Sequence, residues 1–285
     1  MMGPHHAATG AAAWLALASD VTVKTPETLK SAVTWLPDSI HLGASLLPGM
    51  TLMQILVSTI LAAGAALLPD IDHHNATIAR SLPPLTTWTA KAFGSAAGGH
   101  RHGTHTWFGV ILFAVASFLL SFWVIDISGF GTVAIGAGLF ATVLMALFLV
   151  TFKIISKRSG KLAPWIVSLG LATVIALNAP DTWYWLPLAT LVGAVIHILG
   201  DFLTTGGIPW FKFYWMGKVV LDWTPPPGNY MGIVIKKNGF VSFPILGNTG
   251  SGREWALATV IGGYALLTFS VVVWQFIVET TSSWS

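Results

Sequence analysis

The sequence predicts an all-α membrane protein with about six to seven transmembrane helices and a small cytoplasmic β-containing insert. Three observations lead there. The composition is that of a chain dissolved in lipid: of 285 residues, 54% are hydrophobic and 9% charged, with a mean hydropathy of +0.73, against roughly 25% charged residues in a soluble domain. Apolar runs of bilayer-crossing length recur along the chain. One stretch near the C-terminal end is too rich in glycine, proline and turn signals to be a span.

Five runs, 51–68, 107–125, 130–152, 162–178 and 255–278, each approach the ~20 residues that a spanning helix needs. A sixth, 183–203, is equally apolar apart from His197 and Asp201, and ionisable side chains at that depth are costly and mostly functional. A seventh, 7–18, makes only about 18 Å of helix. It crosses only if the helix also takes in His5 or His6 before it and Ser19 onward after it. Ala16-Leu17-Ala18 offers a small-x-small cleavage pattern. No Lys or Arg precedes Lys24, however, so the basic start of a secretory signal is missing and the run reads as a retained helix.

Residues 204–254 contain the run Trp223-Thr224-Pro225-Pro226-Pro227-Gly228. Further on, two short apolar runs, 231–235 and 240–246, flank a Lys236-Lys237-Asn238-Gly239 turn signal and predict a β-hairpin. The chain therefore divides into a helical bundle, 1–203, an insert, 204–254, and a last helix with an external tail, 255–285.

Orientation follows from the basic residues. The connecting segments 69–106, 153–161 and 204–254 hold three, four and five of the 14 Lys and Arg, and alternating spans put all three on one side. Only Lys24 and Lys30 fall opposite. The side with the excess is cytoplasmic. The net charge of +3 is not arrayed as a stripe, which argues against a nucleic-acid partner. Cysteine is absent, so thiolate ligands are excluded and His, Asp and Glu remain as donors for a divalent ion.

Those donors cluster at span ends. Asp70, Asp72, His73 and His74 follow the 51–68 run, two carboxylates and two imidazoles suited to a hard or borderline divalent cation. His100, Arg101, His102 and His105 precede the 107–125 run; the imidazoles are candidate ligands, Arg101 a clamp for phosphate or carboxylate, and Thr104 a cap for the next helix. His197 and Asp201 stand four apart on one helix face, so either both bind the ion or Asp201 orients the imidazole. His6, or its neighbour His5, opens the first run, and Glu254 leads into the last. The charge count places all of these on the cytoplasmic side, with His41 as the exception.

The opening MMGPHHAATGAAAWLAL, then LPDIDHH, HRHGTHT and HILGD followed by TTGG resemble, in that order, the YdjM-type family of bacterial inner-membrane proteins described as membrane-bound metal-dependent hydrolases. The resemblance covers roughly the first 200 residues; His102 falls where the family's loop varies and takes no role. That family is in turn distantly similar to the zinc-dependent phospholipase C and P1-type nuclease group. This similarity implies that His6, Asp70, His100 or His105, His197 and Asp201 are ligands or their close neighbours, and that a phosphoester is hydrolysed.

The functional expectation is a bacterial inner-membrane, metal-dependent hydrolase of a membrane lipid or small phosphoester, its site facing the cytoplasm. Zinc is the expected ion, though the donors do not separate it from manganese or iron. His6, Asp70, His73, His100, His105, His197 and Asp201 are the metal candidates; Asp72 or Glu254 would be the general base, and Arg101 would neutralise charge on a phosphoryl oxygen. The alternative is a metal-cation or proton-coupled transporter with His197 and Asp201 on its path.

Overall fold

The described residues of the computed structural model are 1–73 and 75–282; His74 of the acidic and histidine cluster and residues 283–285 of the expected tail lie outside them. The first helix, α1 (Gly3–Ala18), starts on Pro4, whose missing N–H costs nothing in a first turn. It takes in both His5 and His6 and stops at Ser19, so it is ~24 Å long. Strands β1 (Val21–Lys24) and β2 (Ser39–Leu42) pair antiparallel around the short α2 (Glu27–Ala32). A capping box between Thr51 and Gln54 starts α3 (Leu52–Ala65). A tight turn, Pro69–Asp72, follows, then α4 (Thr77–Arg80) and α5 (Leu85–Ala97), which ends on Gly98 in the left-handed conformation.

Next come α6 (Trp107–Leu120), the hairpin β3 (Val124–Ile127) and β4 (Gly131–Ala134), α7 (Ile135–Thr151), α8 (Ala163–Asn178) and α9 (Leu186–Phe202). The insert holds β5 (Lys212–Trp215), β6 (Lys218–Asp222), β7 (Gly228–Tyr230), β8 (Ile233–Ile235) and β9 (Val241–Ser242), and α10 (Gly252–Ser282) closes the chain. Three stretches, Leu52–Asp72, Pro180–Phe202 and Gly252–Ser282, are long and apolar enough to cross a membrane; Trp107–Leu120, Ile135–Thr151 and Ala163–Asn178 are shorter apolar helices.

The 107–125 and 130–152 runs thus lose their adjoining ends to the β3–β4 hairpin. Gly129 and Gly131 have positive φ, which bends the chain, and Thr132 Oγ1 donates to Asp126 Oδ1 across the pair at 2.6 Å. Hydropathy alone does not separate a short apolar strand from a helix end. In the insert, β8 and β9 form the expected hairpin around the Lys-Lys-Asn-Gly turn, with Ile235 opposite Val241. β7 adds to the same sheet, and β5–β6 is a further hairpin.

Helix α3 is the axis of the bundle, and small residues let its neighbours approach it closely. A Cβ on Gly64 would stand 2.1 Å from the Leu144 carbonyl oxygen of α7, and one on Gly193 of α9 would stand 2.3 Å from that of Ala62. Trp14, Leu61, Leu144 and Leu186 fill the core between α1, α3, α7 and α9. The insert is stitched to the end of α9: Phe243 N–H donates to Phe202 O at 2.8 Å, Leu246 N–H to Leu203 O at 3.1 Å and Thr205 N–H to Gly247 O at 2.9 Å.

Candidate metal centre

Because α1 and α6 start at the end of the bundle where α3 and α9 finish, four segments far apart in sequence bring their polar termini together. His197 is the best defined member. Its Nδ1 lies 2.7 Å from the Ala66 carbonyl oxygen, which can only accept, so Nδ1 carries the proton and Nε2 presents its lone pair to the other donors of the cluster. That Nε2 is 3.2 Å from His105 Nε2, 3.8 Å from Asp70 Oδ1 and 3.9 Å from Asp201 Oδ2. His105 Nε2 is in turn 3.6 Å from Asp70 Oδ1 and 3.7 Å from Asp201 Oδ2. The ring of His6 stacks on His197 with centroids 3.7 Å apart. Its Nε2 is 3.3 Å from Asp201 Oδ1 but out of line for a hydrogen bond, so both nitrogens of this buried ring lack a hydrogen-bond partner.

Buried polar atoms without partners are rare because each forfeits its solvation. A cation would resolve the problem: three groupings, His6/His197/Asp201, Asp70/His105/His197 and Asp72/His100/His105, each have donor atoms within 4.8 Å of one another and could hold one. Nitrogen and carboxylate donors without sulfur fit zinc, manganese or iron. Burial opposes charge on His105, but hydrogen bonding to Asp70 and Asp72 outweighs it and lifts its pKa to about 9. A divalent ion bound there would take the place of that proton.

Behind the donors stands a supporting layer. Asp72 accepts from His100 Nδ1 at 2.9 Å, from Arg101 N–H at 3.1 Å and from the Thr104 hydroxyl, and lies 3.5 Å from His105 Nδ1. Arg101 grips Asp201 with two donors, Nε to Oδ2 at 3.0 Å and Nη2 to Oδ1 at 3.1 Å, and the Met1 ammonium reaches the same carboxylate. To do so Arg101 adopts a φ of +61° and lies over Gly206, where a Cβ would be 1.8 Å from Nη1. The TTGG glycine is therefore a space requirement. Gly206→Ala is expected to destabilise the purified protein as Arg101→Ala does, each by about 3 kcal/mol, the low end for breaking a buried ion pair. Thermal unfolding of the double variant should show no further loss, since the two changes remove one interaction.

A family model described as YdjM inner membrane protein matches residues 1–277. The chain belongs to this family. No curated protein and no solved structure matches it. Membership places the protein in the inner membrane, and the resemblance carried by four motifs in the first part of the chain extends almost to its end.

In this YdjM inner membrane protein the remaining candidates sit around the cluster. His73 lies at the rim, its ring centroid 4.3 Å from that of His100, outside the three groupings. An open cavity of ≈ 360 Å³ reaches the site there, lined by Asp70, His73, His100 and Arg101 with Met1 and Thr249. Glu254 turns elsewhere: its carboxylate accepts from His5 Nδ1 at 2.6 Å, Met2 N–H at 2.7 Å and Gly250 N–H at 2.9 Å, tying the first residues to the start of α10. So His6 joins the cluster and His5 braces it. His102 bonds to the His100 carbonyl and packs edge-on against Tyr214 and Phe240 of the insert.

The expectation that Thr104 caps α6 is corrected. Thr106 is the cap, accepting from Gly109 N–H at 3.1 Å, while Thr104 serves Asp72. Thr106 is the residue directly before the helix, and that position was the available signal. The Ala66 carbonyl was not foreseen as part of the site, since a backbone oxygen leaves no mark on a sequence, and Gly206 stood in the TTGG motif without a role. Lys236 joins them from the insert, donating to the carbonyls of Thr205 and Gly206 at 2.5 and 2.8 Å; burial, and then the charge of Arg101, lower its pKa.

Proposed function

We propose that this protein is a membrane-bound, metal-dependent hydrolase of a lipid-derived or membrane-proximal phosphoester, working at the cytoplasmic face. The observation that carries the reading is the convergence of His6, Asp70, His105, His197 and Asp201 from four segments, with the His197 Nε2 lone pair turned to His105 Nε2 and the two carboxylates, and His6 without a hydrogen-bond partner. These residues would hold one or more divalent ions, zinc foremost. Such an ion, when bound, acidifies water and polarises the scissile group. Seven helices, α1, α3 and α6 to α10, cross the bilayer in this reading, and the distribution of Lys and Arg supports a cytoplasmic site.

The chain's own residues supply the rest. His100 is 36% exposed at the cavity, and its Nδ1–H is held by Asp72, so its other nitrogen is turned free to accept a proton. Asp72 thereby acts through two imidazoles, those of His100 and His105. Arg101 lines the same cavity and offers guanidinium charge to a phosphoryl oxygen. Against the transporter reading, every buried histidine and carboxylate among the described residues, namely His5, His6, Asp72, His105, His197, Asp201 and Glu254, lies at this one end of the bundle. Among the described residues no buried histidine or carboxylate continues a relay towards the other.

Purified protein assayed on phosphodiester and phosphomonoester substrates is expected to lose hydrolysis with chelator, regain it with zinc, and lose at least 100-fold in rate as His100→Ala, the low end for a general base. Metal-loaded protein that cleaves nothing but carries divalent ions across vesicle membranes would overturn the reading in favour of transport.

A further inference from the structure

Helix α5 has an apolar face that no part of the described chain covers: Leu85, Trp88, Ala92 and Ala96, at helical spacing, are all exposed. The β5–β6 hairpin lies against this helix. Gly217 N–H donates to Ala96 O at 2.7 Å, and a Cβ on Gly98 would meet Gly217 O at 2.8 Å. The hairpin closes through Met216 and Gly217, with Trp215 opposite Lys218. Both turn residues have positive φ, 47° and 77°, as a two-residue hairpin loop requires. Asn, Asp or Gly ordinarily fills the first of those positions. Here a methionine takes the left-handed conformation and is 71% exposed, beside exposed Trp215. In water this choice is unfavourable twice over, in backbone and in solvation.

The hairpin also lies beside α6, with Phe213 4.4 Å from Phe108, centroid to centroid. Between α5, α6 and the hairpin runs an apolar groove of ≈ 170 Å³, lined by Phe93, Phe108, Leu112, Phe113, Trp215 and Met216. Thr104, the residue that donates to Asp72, also lines it. Leu112, which lines it too, is one of the exposed apolar stripe Ile111, Leu112, Val115, Phe118 and Leu119 that α6 turns outward. An outward stripe of this kind on a crossing helix faces lipid.

We propose that α5 and the β5–β6 hairpin lie in the lipid leaflet as a collar beside the metal centre, with acyl chains of that leaflet occupying the groove they form with α6. Lys218 next to the tip and Lys91 on α5, both exposed, keep their ammonium groups at the headgroup phosphates, as long basic side chains do at an interface. The proposal rests on α6 crossing the bilayer and is independent of the reaction.

The chain has no cysteine, so single cysteines report position without background. Spin labels at Trp88→Cys, Met216→Cys, Leu112→Cys and Lys237→Cys, in full-length protein in phosphatidylethanolamine–phosphatidylglycerol vesicles, would be probed with oxygen and a water-soluble nickel chelate. Labels at 88, 216 and 112 are expected to be relaxed severalfold more by oxygen than by the chelate, and the label at 237 the reverse. Chelate access at 88 and 216 equal to that at 237, with 112 shielded, overturns the collar alone. Chelate access at 112 as well overturns both the collar and the crossing of α6 on which it rests.

Discussion

His197→Ala is expected to strip the purified protein of its divalent metal. The imidazole enters two of the three donor groupings, and its Nδ1–H bond to Ala66 O fixes the lone pair of Nε2 towards the others. Removing an outer partner of a ligand costs ~10–100-fold in metal affinity, so removing the ligand itself should cost more than that range. Asp72→Asn gives the comparison. It leaves His105 in place but replaces the carboxylate that faces Nδ1, and its loss should stay within ~10–100-fold. Asp70→Ala tests the cluster from the cavity side, at a carboxylate that faces His105 and His197. Metal analysis of the three variants beside the parent protein decides the matter. Unchanged content in both His197→Ala and Asp70→Ala would sink the metal centre and, with it, the hydrolase reading.

How much of this site was legible beforehand depends on what kind of signal each residue gives. His197 and Asp201 stood out because an apolar span has no cheap reason to hold them, and the structure puts both at the centre of the cluster. Asp70, His105 and His6 were legible through their places at the ends of apolar runs, and the structure brings those ends together. What stayed hidden was the division of labour. His5 and His6 are neighbours with equal claims in the sequence, yet successive helical positions point about 100° apart. One turns to Asp201 and the other to Glu254. Whether Asp72 faces water or two imidazoles depends on where the 100–105 loop folds back, a long-range contact that no local pattern encodes.

The fold shows the same limit. The helices that run from 52 and from 186 were fixed by length and hydropathy, whereas the β3–β4 hairpin consumed residues that had the composition of a span. The extended backbone at Val124–Ile127 and Gly131–Ala134 follows from turn glycines and cross-strand pairing, which hydropathy does not weigh. In the insert the turn chemistry was itself the signal, and there the β8–β9 hairpin was predicted correctly.

Glycine supplies the second large effect. Gly64→Ala is expected to be severely destabilising although it adds one methyl group and improves helix propensity by about 1 kcal/mol. The added carbon would stand 2.1 Å from the carbonyl oxygen of Leu144 and 2.6 Å from its carbon, backbone atoms that cannot rotate aside. Helices α3 and α7 must then separate, and α3 runs directly into Ala66, whose carbonyl holds His197, and on to Asp70 and Asp72. The cost should reach or exceed the upper end of the ~1–3 kcal/mol typical of overpacking. Gly138→Ala in α7 is the matched control, since a Cβ there meets nothing within 4 Å and the propensity gain stands alone. Thermal unfolding in detergent should therefore move in opposite directions for two changes of identical chemistry. A Gly64→Ala protein as stable as the parent would mean that α3 and α7 do not meet backbone to backbone, and that the axis on which the metal centre is built lies elsewhere.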